Sequence, residues 1–174
     1  MQSIPKYNPA IYMPPQPNIN IGNDVEELGI KMQLPDNSKN SCTFNEPLVA
    51  KLVQNSEKTI PLIEKKILST NDEKVIAEGL YTFDRMIDAG KFNIEKSYPT
   101  LAKFNNTKSA NIQVLLAGIY RKTQIPDAYG PLNKMLIQDS INPPQAYFDP
   151  TEEIGGAILE YIKNASAQKA YSNK

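Results

Sequence analysis

VIAEGLYTFDRMI, from Val75 to Ile87, sets Ile76, Leu80, Phe83 and Ile87 at helical offsets and reads as one amphipathic helix. Its middle returns twice. Gly79-Leu80-Tyr81 is followed by Gly118-Ile119-Tyr120 and then by Ala157-Ile158-Leu159, so a small residue recurs 39 positions on, and again 39 further. A fixed period of this size marks a helical repeat. Glycine in mid-helix costs about 1 kcal/mol relative to alanine, so its return predicts a point where helices cross closely. A leucine at Gly118 is therefore expected to overpack such a crossing and loosen the fold.

Outward from this stretch the chain reads as further helices. Upstream, Leu48, Val49, Leu52 and Val53 form a short one behind Asn45 or a Thr43/Glu46 capping box. Thr59 opens another, with Pro61 in its first turn and Ile60, Ile63 and Ile67 on one side. Thr70 and Glu73 form a capping box before the central helix, and Gly90 suits its left-handed end. Downstream, residues 93–105 carry Pro99 inside a helical pattern, and Ser109 caps a helix that Pro126 closes. Residues 128–138 supply a further helix. Asp149, Pro150 and Glu152 start the last one, which is expected to fray after residue 166. No stretch alternates as a strand does, and the fold class is all-α.

The first 44 residues differ in kind. Seven of the chain's fourteen prolines fall before Leu48, among many asparagines, and the segment is expected to be an extended or disordered arm. One short ordered piece is allowed in Val25 to Leu34, weakened by Gly29 and ended by Pro35. Pro14 and Pro17 have the spacing of a polyproline ligand, while Ile4, Tyr7, Ile11, Tyr12 and Met13 favour docking of the arm. The domains expected are thus an arm over 1–44, a helical domain over 45–166 and a flexible tail over 167–174.

Composition narrows the chemistry. There is no histidine, and the lone Cys42 has no imidazole to activate it. No phosphate loop, cofactor fingerprint or metal-ligand spacing is present, so no enzyme, catalytic residue, cofactor or metal is expected. Glu78, Asp84 and Arg85 offer an acid pair of the kind any helix produces. No window is apolar enough to span a bilayer, and no export signal is seen, so a soluble, cytoplasmic protein without a membrane partner is expected. Lys+Arg and Asp+Glu balance at 19 each, but Lys91 to Lys134 holds seven bases against Glu95 and Asp127, an excess of +5. Lys103, Lys108, Arg121 and Lys122 are the candidate partner-binding residues of that block, if they gather on one edge.

Helix pairs at this period, with Pro61 and Pro99 near the starts of first helices and small residues within second helices, resemble HEAT and armadillo-type repeats. The resemblance covers about residues 45 to 165. Asp72 and Val75 fit an acidic turn residue and the valine that opens the second helix. Ile76 stands where the HEAT pattern has arginine, so the likeness is one of architecture. What it implies is a short right-handed α-solenoid of about three helical hairpins, presenting a surface to a protein partner without catalysis. Two other readings stand beside it: an anion or nucleic-acid binder using residues 91–134, and a structural subunit of a homo-oligomer.

Overall fold

Ser109 Oγ accepts the Ile112 backbone N–H at 3.2 Å, and Asp149 Oδ1 accepts that of Thr151 at 2.9 Å, as their sequence positions predict. Gly90 leaves the central helix at φ +67. That helix is capped by Asp72, whose carboxylate accepts the Lys74 N–H; Thr70 instead accepts from Asp72. The computed structural model describes residues 20–172, with side chains described as far as 165. Eight α-helices succeed one another there: α1 Ile21–Glu26, α2 Glu46–Gln54, α3 Ser56–Leu68, α4 Glu73–Asp88, α5 Ile94–Leu101, α6 Ala110–Thr123, α7 Tyr129–Ile141 and α8 Thr151–Ser172. Among the described residues there is no strand, only the isolated bridges Gln33 with Thr43 and Asp36 with Lys39. The chain is all-α.

Alternate helices pack as neighbours. α2 lies on α4, α4 on α6 and α6 on α8, while α1 lies on α3, α3 on α4 and α5, and α7 on α8. This succession is compatible with a helical-repeat architecture. Equal spacing is not kept, since α4, α6 and α8 begin at Glu73, Ala110 and Thr151. The core runs through all the layers, with Ile63, Ile67, Leu80, Phe83, Leu101, Leu116, Tyr120, Leu132 and Ile154 wholly buried. Such continuous burial supplies most of the stability, at about 25 cal/mol per Å² of apolar surface.

The repeated small residues do not play one part. A Cβ on Gly79 would lie 2.6 Å from Ile67 Cγ2 and 3.2 Å from Ile63 Cγ2, so α3 and α4 do cross there without room for a methyl group. Gly118 corrects the expectation, because a Cβ built on it meets nothing within 4 Å. Its predecessor Ala117, wholly buried, holds the small place in α6. One residue turns a helix by about 100°, enough to move the crossing off Gly118. Gly79→Ala should therefore destabilise by about 1 to 3 kcal/mol through overpacking, an effect that Ile67→Leu, which lacks the Cγ2 branch, should partly relieve. Gly118→Ala should stabilise by up to about 1 kcal/mol through helix propensity. Urea unfolding of the variants, with equal slopes for each, checks both signs.

Residues 20–44 lie against the helical domain, with apolar side chains inside it. Val25, Leu28 and Met32 are buried to 2% exposure or less, and Val25 and Leu28 belong to the same apolar cluster as Leu80 and Phe83. Asn20 caps α1, Lys51 Nζ reaches Asp24 Oδ1 at 2.6 Å, and Lys66 pairs with Glu26. The proline ligand reading and the apolar residues Ile4 to Met13 lie outside the described residues. At the other end α8 continues as helix through Ser172, past the expected end at 166.

Candidate functional site

The first two turns of α6 form the floor of a groove that the sequence did not announce. Above it stand the loop over residues 33–44 on one side and the loop over 142–150 on the other. Gln33 and Thr43 exchange both backbone hydrogen bonds at 2.9 Å, which closes the first loop; Asn142-Pro143-Pro144 forces the second. Three depressions lie along these loops and share Phe148. One, of about 240 Å³, is mainly apolar and lined by Cys42, Phe44, Val114, Leu115 and Phe148. Another, of about 510 Å³, lies between Asp139, the prolines Pro143 and Pro144, Tyr147, Phe148 and the start of α8.

A polar chain ties the groove together. Glu73, on the first turn of α4, accepts hydrogen bonds from Ser109 Oγ and from Asn111 Nδ2 (2.8 Å), and Asn111 Oδ1 accepts a weak one from Cys42 Sγ at 3.5 Å. Burial, and then the charge of Glu73, pushes the Cys42 thiol up to about 11. At neutral pH the group is a thiol, not the thiolate that nucleophilic attack needs. Deeper in, Gln113 and Asp139 are 1% and 3% exposed, and Gln113 Nε2 donates to Asp139 Oδ1 and to Thr107 O, each at 3.2 Å.

The four expected partner-binding cations do not gather. Lys103 and Lys108 precede α6, whereas Arg121 and Lys122 lie in its last turn; eleven residues of helix, Ala110 to Tyr120, separate the two pairs, about 17 Å. Arg121 pairs with Glu153 of α8 at 2.8 Å. Lys122 Nζ bridges Asp84 and Asp88 of α4, both at 2.8 Å. Partial burial pulls its ammonium down, but the hydrogen bonds and charges of the two carboxylates outweigh this and hold it above the ordinary range. Half of the basic set thus clamps helix to helix. Lys103 and Lys108 are exposed.

The imagined acid pair on α4 does not form either. Asp84 faces Lys122, and Glu78 is wholly buried, accepting the backbone N–H groups of Gly29 and Asn45 at 2.7 Å each. Nothing in the local pattern marks this glutamate as pointing inward, since its partners are backbone atoms 49 and 33 positions away. The recurring tyrosines pack: Tyr81 stacks on Phe44 at 3.8 Å, Tyr120 is buried against Tyr98, and the Tyr161 hydroxyl donates to Ile125 O at 2.8 Å. Among the described residues no group of three or more acidic, cysteine or histidine side chains could hold a metal ion, and no helix is long and apolar enough to cross a membrane. No family model matches the chain, and neither a curated protein nor a solved structure does.

Proposed function

We propose that this chain is a non-catalytic interaction domain, HEAT-like in the stacking of its helical hairpins, that offers its last helices and the loop between them to a protein partner. The observation that carries the reading is the uneven placement of exposed apolar side chains. Of nine large ones among the described residues, six fall between Tyr129 and Ile162, with Ile137 60%, Ile141 80%, Tyr147 54% and Leu159 55% exposed. Elsewhere such side chains are single and ordinary; grouped on one end of a helical stack they favour an interface. The internal pairing of Arg121 and Lys122 weighs against the anion-binding alternative, because a phosphate would have to displace carboxylates already seated.

Ile137 and Ile141 stand one helical turn apart on α7, so Ile137→Asp/Ile141→Asp removes apolar surface without entering the core. Affinity capture at moderate salt from the source cells should recover a protein with the intact chain and lose it with this variant. Equal recovery by both would overturn the placement of the interface. If instead only the chain itself is recovered, and its mass by light scattering rises with concentration, the homo-oligomer reading replaces this one.

A further inference from the structure

Val114 and Leu115 stand apart from the other aliphatic side chains of α6. That helix packs on α4 and on α8, and Ile112, Leu116 and Ile119 are buried between them. Val114 and Leu115 stay half-buried, and with Asn111 they fall at i, i+3 and i+4 on one face of the helix. They line the mainly apolar cleft of about 240 Å³ together with Phe44 from the first loop and Phe148 from the second, both also half-buried. Single apolar groups at a surface are ordinary, but here four border one open space.

The walls are held from behind. Phe44 stacks on Tyr81 with ring centroids 3.8 Å apart, and the Tyr81 hydroxyl donates to Glu46 at 2.8 Å. Cys42 Sγ leans on Asn111, which Glu73 holds in turn. Walls fixed in advance cost an occupant little ordering. Charge sets this cleft apart from its neighbours. The two other depressions that share Phe148 are lined by Glu73 and Lys108 and by Asp139 and Asp149, whereas no charged side chain lines this one. Its one thiol stays protonated at neutral pH. An ionised group entering here would give up water and meet no counter-charge. The space is below the roughly 300 Å³ at which sites for drug-sized ligands begin, yet ample for one aromatic ring, since about 150 Å³ holds benzene.

We propose that this cleft seats one phenylalanine side chain of the protein partner, its ring on Val114 and Leu115 between Phe44 and Phe148, with the flanking main chain crossing Asn40 and Ser41 at the rim. Aromatic rings gain from one another beyond the area they bury, and the Cys42 sulfur adds a soft contact for a ring. A leucine fills the space without those contacts, and an asparagine loses its bonds to water for nothing. The exposed Asn40 and Ser41 offer hydrogen bonds to the main chain beside the ring. An apolar anchor ringed by polar contacts is how interfaces concentrate their energy. The inference rests on the interaction reading above, since Phe148 belongs to the loop offered there, and it names one residue type that the partner contributes.

The test is an NMR titration of the ¹⁵N-labelled full chain with capped pentapeptides Gly-Ser-Xaa-Ser-Gly, where Xaa is phenylalanine, leucine or asparagine. The phenylalanine peptide should shift the backbone amides of residues 42–44, 111–115 and 148, and bind at least tenfold more tightly than the asparagine peptide, with leucine between. Phe148→Ala should weaken phenylalanine binding at least fivefold and leave asparagine unchanged. Should that variant unfold, Val114→Thr, which keeps the shape and sets a hydroxyl in the cleft, should still cost several-fold. Equal binding of phenylalanine and asparagine, shifts confined to other regions, or unchanged affinity in both variants would overturn the proposal. Toluene binding as tightly as the peptide would point to a free small molecule and overturn the polypeptide source. Broadening of the same amides that grows with chain concentration, before any peptide is added, would assign the cleft to a second copy and overturn it as well. A partner captured equally by the Phe148→Ala and intact chains, but lost with Ile137→Asp/Ile141→Asp, would remove this cleft and leave the interaction reading standing.

Discussion

Replacing Glu78 by leucine is expected to lower the stability of the chain by about 3 to 5 kcal/mol and its Tm by on the order of 10 °C. Leucine is a good helix former, so α4 itself should survive. What is lost is the joint between α4 and the N-terminal segment. Each Glu78 oxygen accepts one backbone N–H at 2.7 Å, from Gly29 and from Asn45, and the carboxylate is wholly buried. Removing it leaves two donors unpaired, Gly29 in the interior and Asn45 half-buried, which costs more than forming the bonds gains. Glu78→Gln should fall between, because its amide offers one acceptor and turns a second donor toward an N–H. Thermal melts give the size of the effect. Hydrogen exchange locates it, with faster exchange expected at Gly29, Asn45 and the amides between, and a uniform change across α6 to α8 would contradict a local joint.

Gly29→Ala should cost about 3 kcal/mol or more, for two separable reasons. Gly29 sits at φ +82, where a side chain is disfavoured by about 1 to 2 kcal/mol. A Cβ there would also lie 2.9 Å from Val75 N and 3.1 Å from Val75 Cα, backbone atoms of α4 that cannot swing aside. Asparagine separates the two causes, since it tolerates positive φ but still carries a Cβ. Gly29→Asn should therefore lose about 1 kcal/mol less than alanine and still be clearly destabilised by the contact with Val75. Gly90→Asn, at φ +67 with nothing within 4 Å, should be nearly neutral. Urea unfolding of the three variants decides, and tolerance of Gly29→Asn would show that strain alone matters at that turn. Because Gly29 donates to Glu78, the double variant with Glu78→Leu should lose less than the two single losses together.

The candidate site was less legible than the helices around it. Ser109 and Asp149 announce helix starts because a cap is a local device, read within three residues. Asp139 carries no such mark: it sits in an ordinary helical pattern, and only the fold brings Gln113 and the loop over 142–150 to it. The charge block between Lys91 and Lys134 was plain in the sequence, yet helix α6 spreads its members over both ends and spends two of them on α4 and α8.

By itself the amino-acid sequence determined the helical class, the order of the helices from Asn45 onward and most of their ends, since amphipathic period, proline, glycine and capping side chains act over a few residues. The tertiary structure alone decided that Val25, Leu28 and Met32 are buried, and that their segment is joined to α4 through a glutamate whose partners are backbone groups far off in the chain. It also decided which small residue marks a crossing. Gly79 meets Ile67 and Gly118 meets nothing, although the two read alike, because a helix's neighbours and not its own pattern set where space runs out.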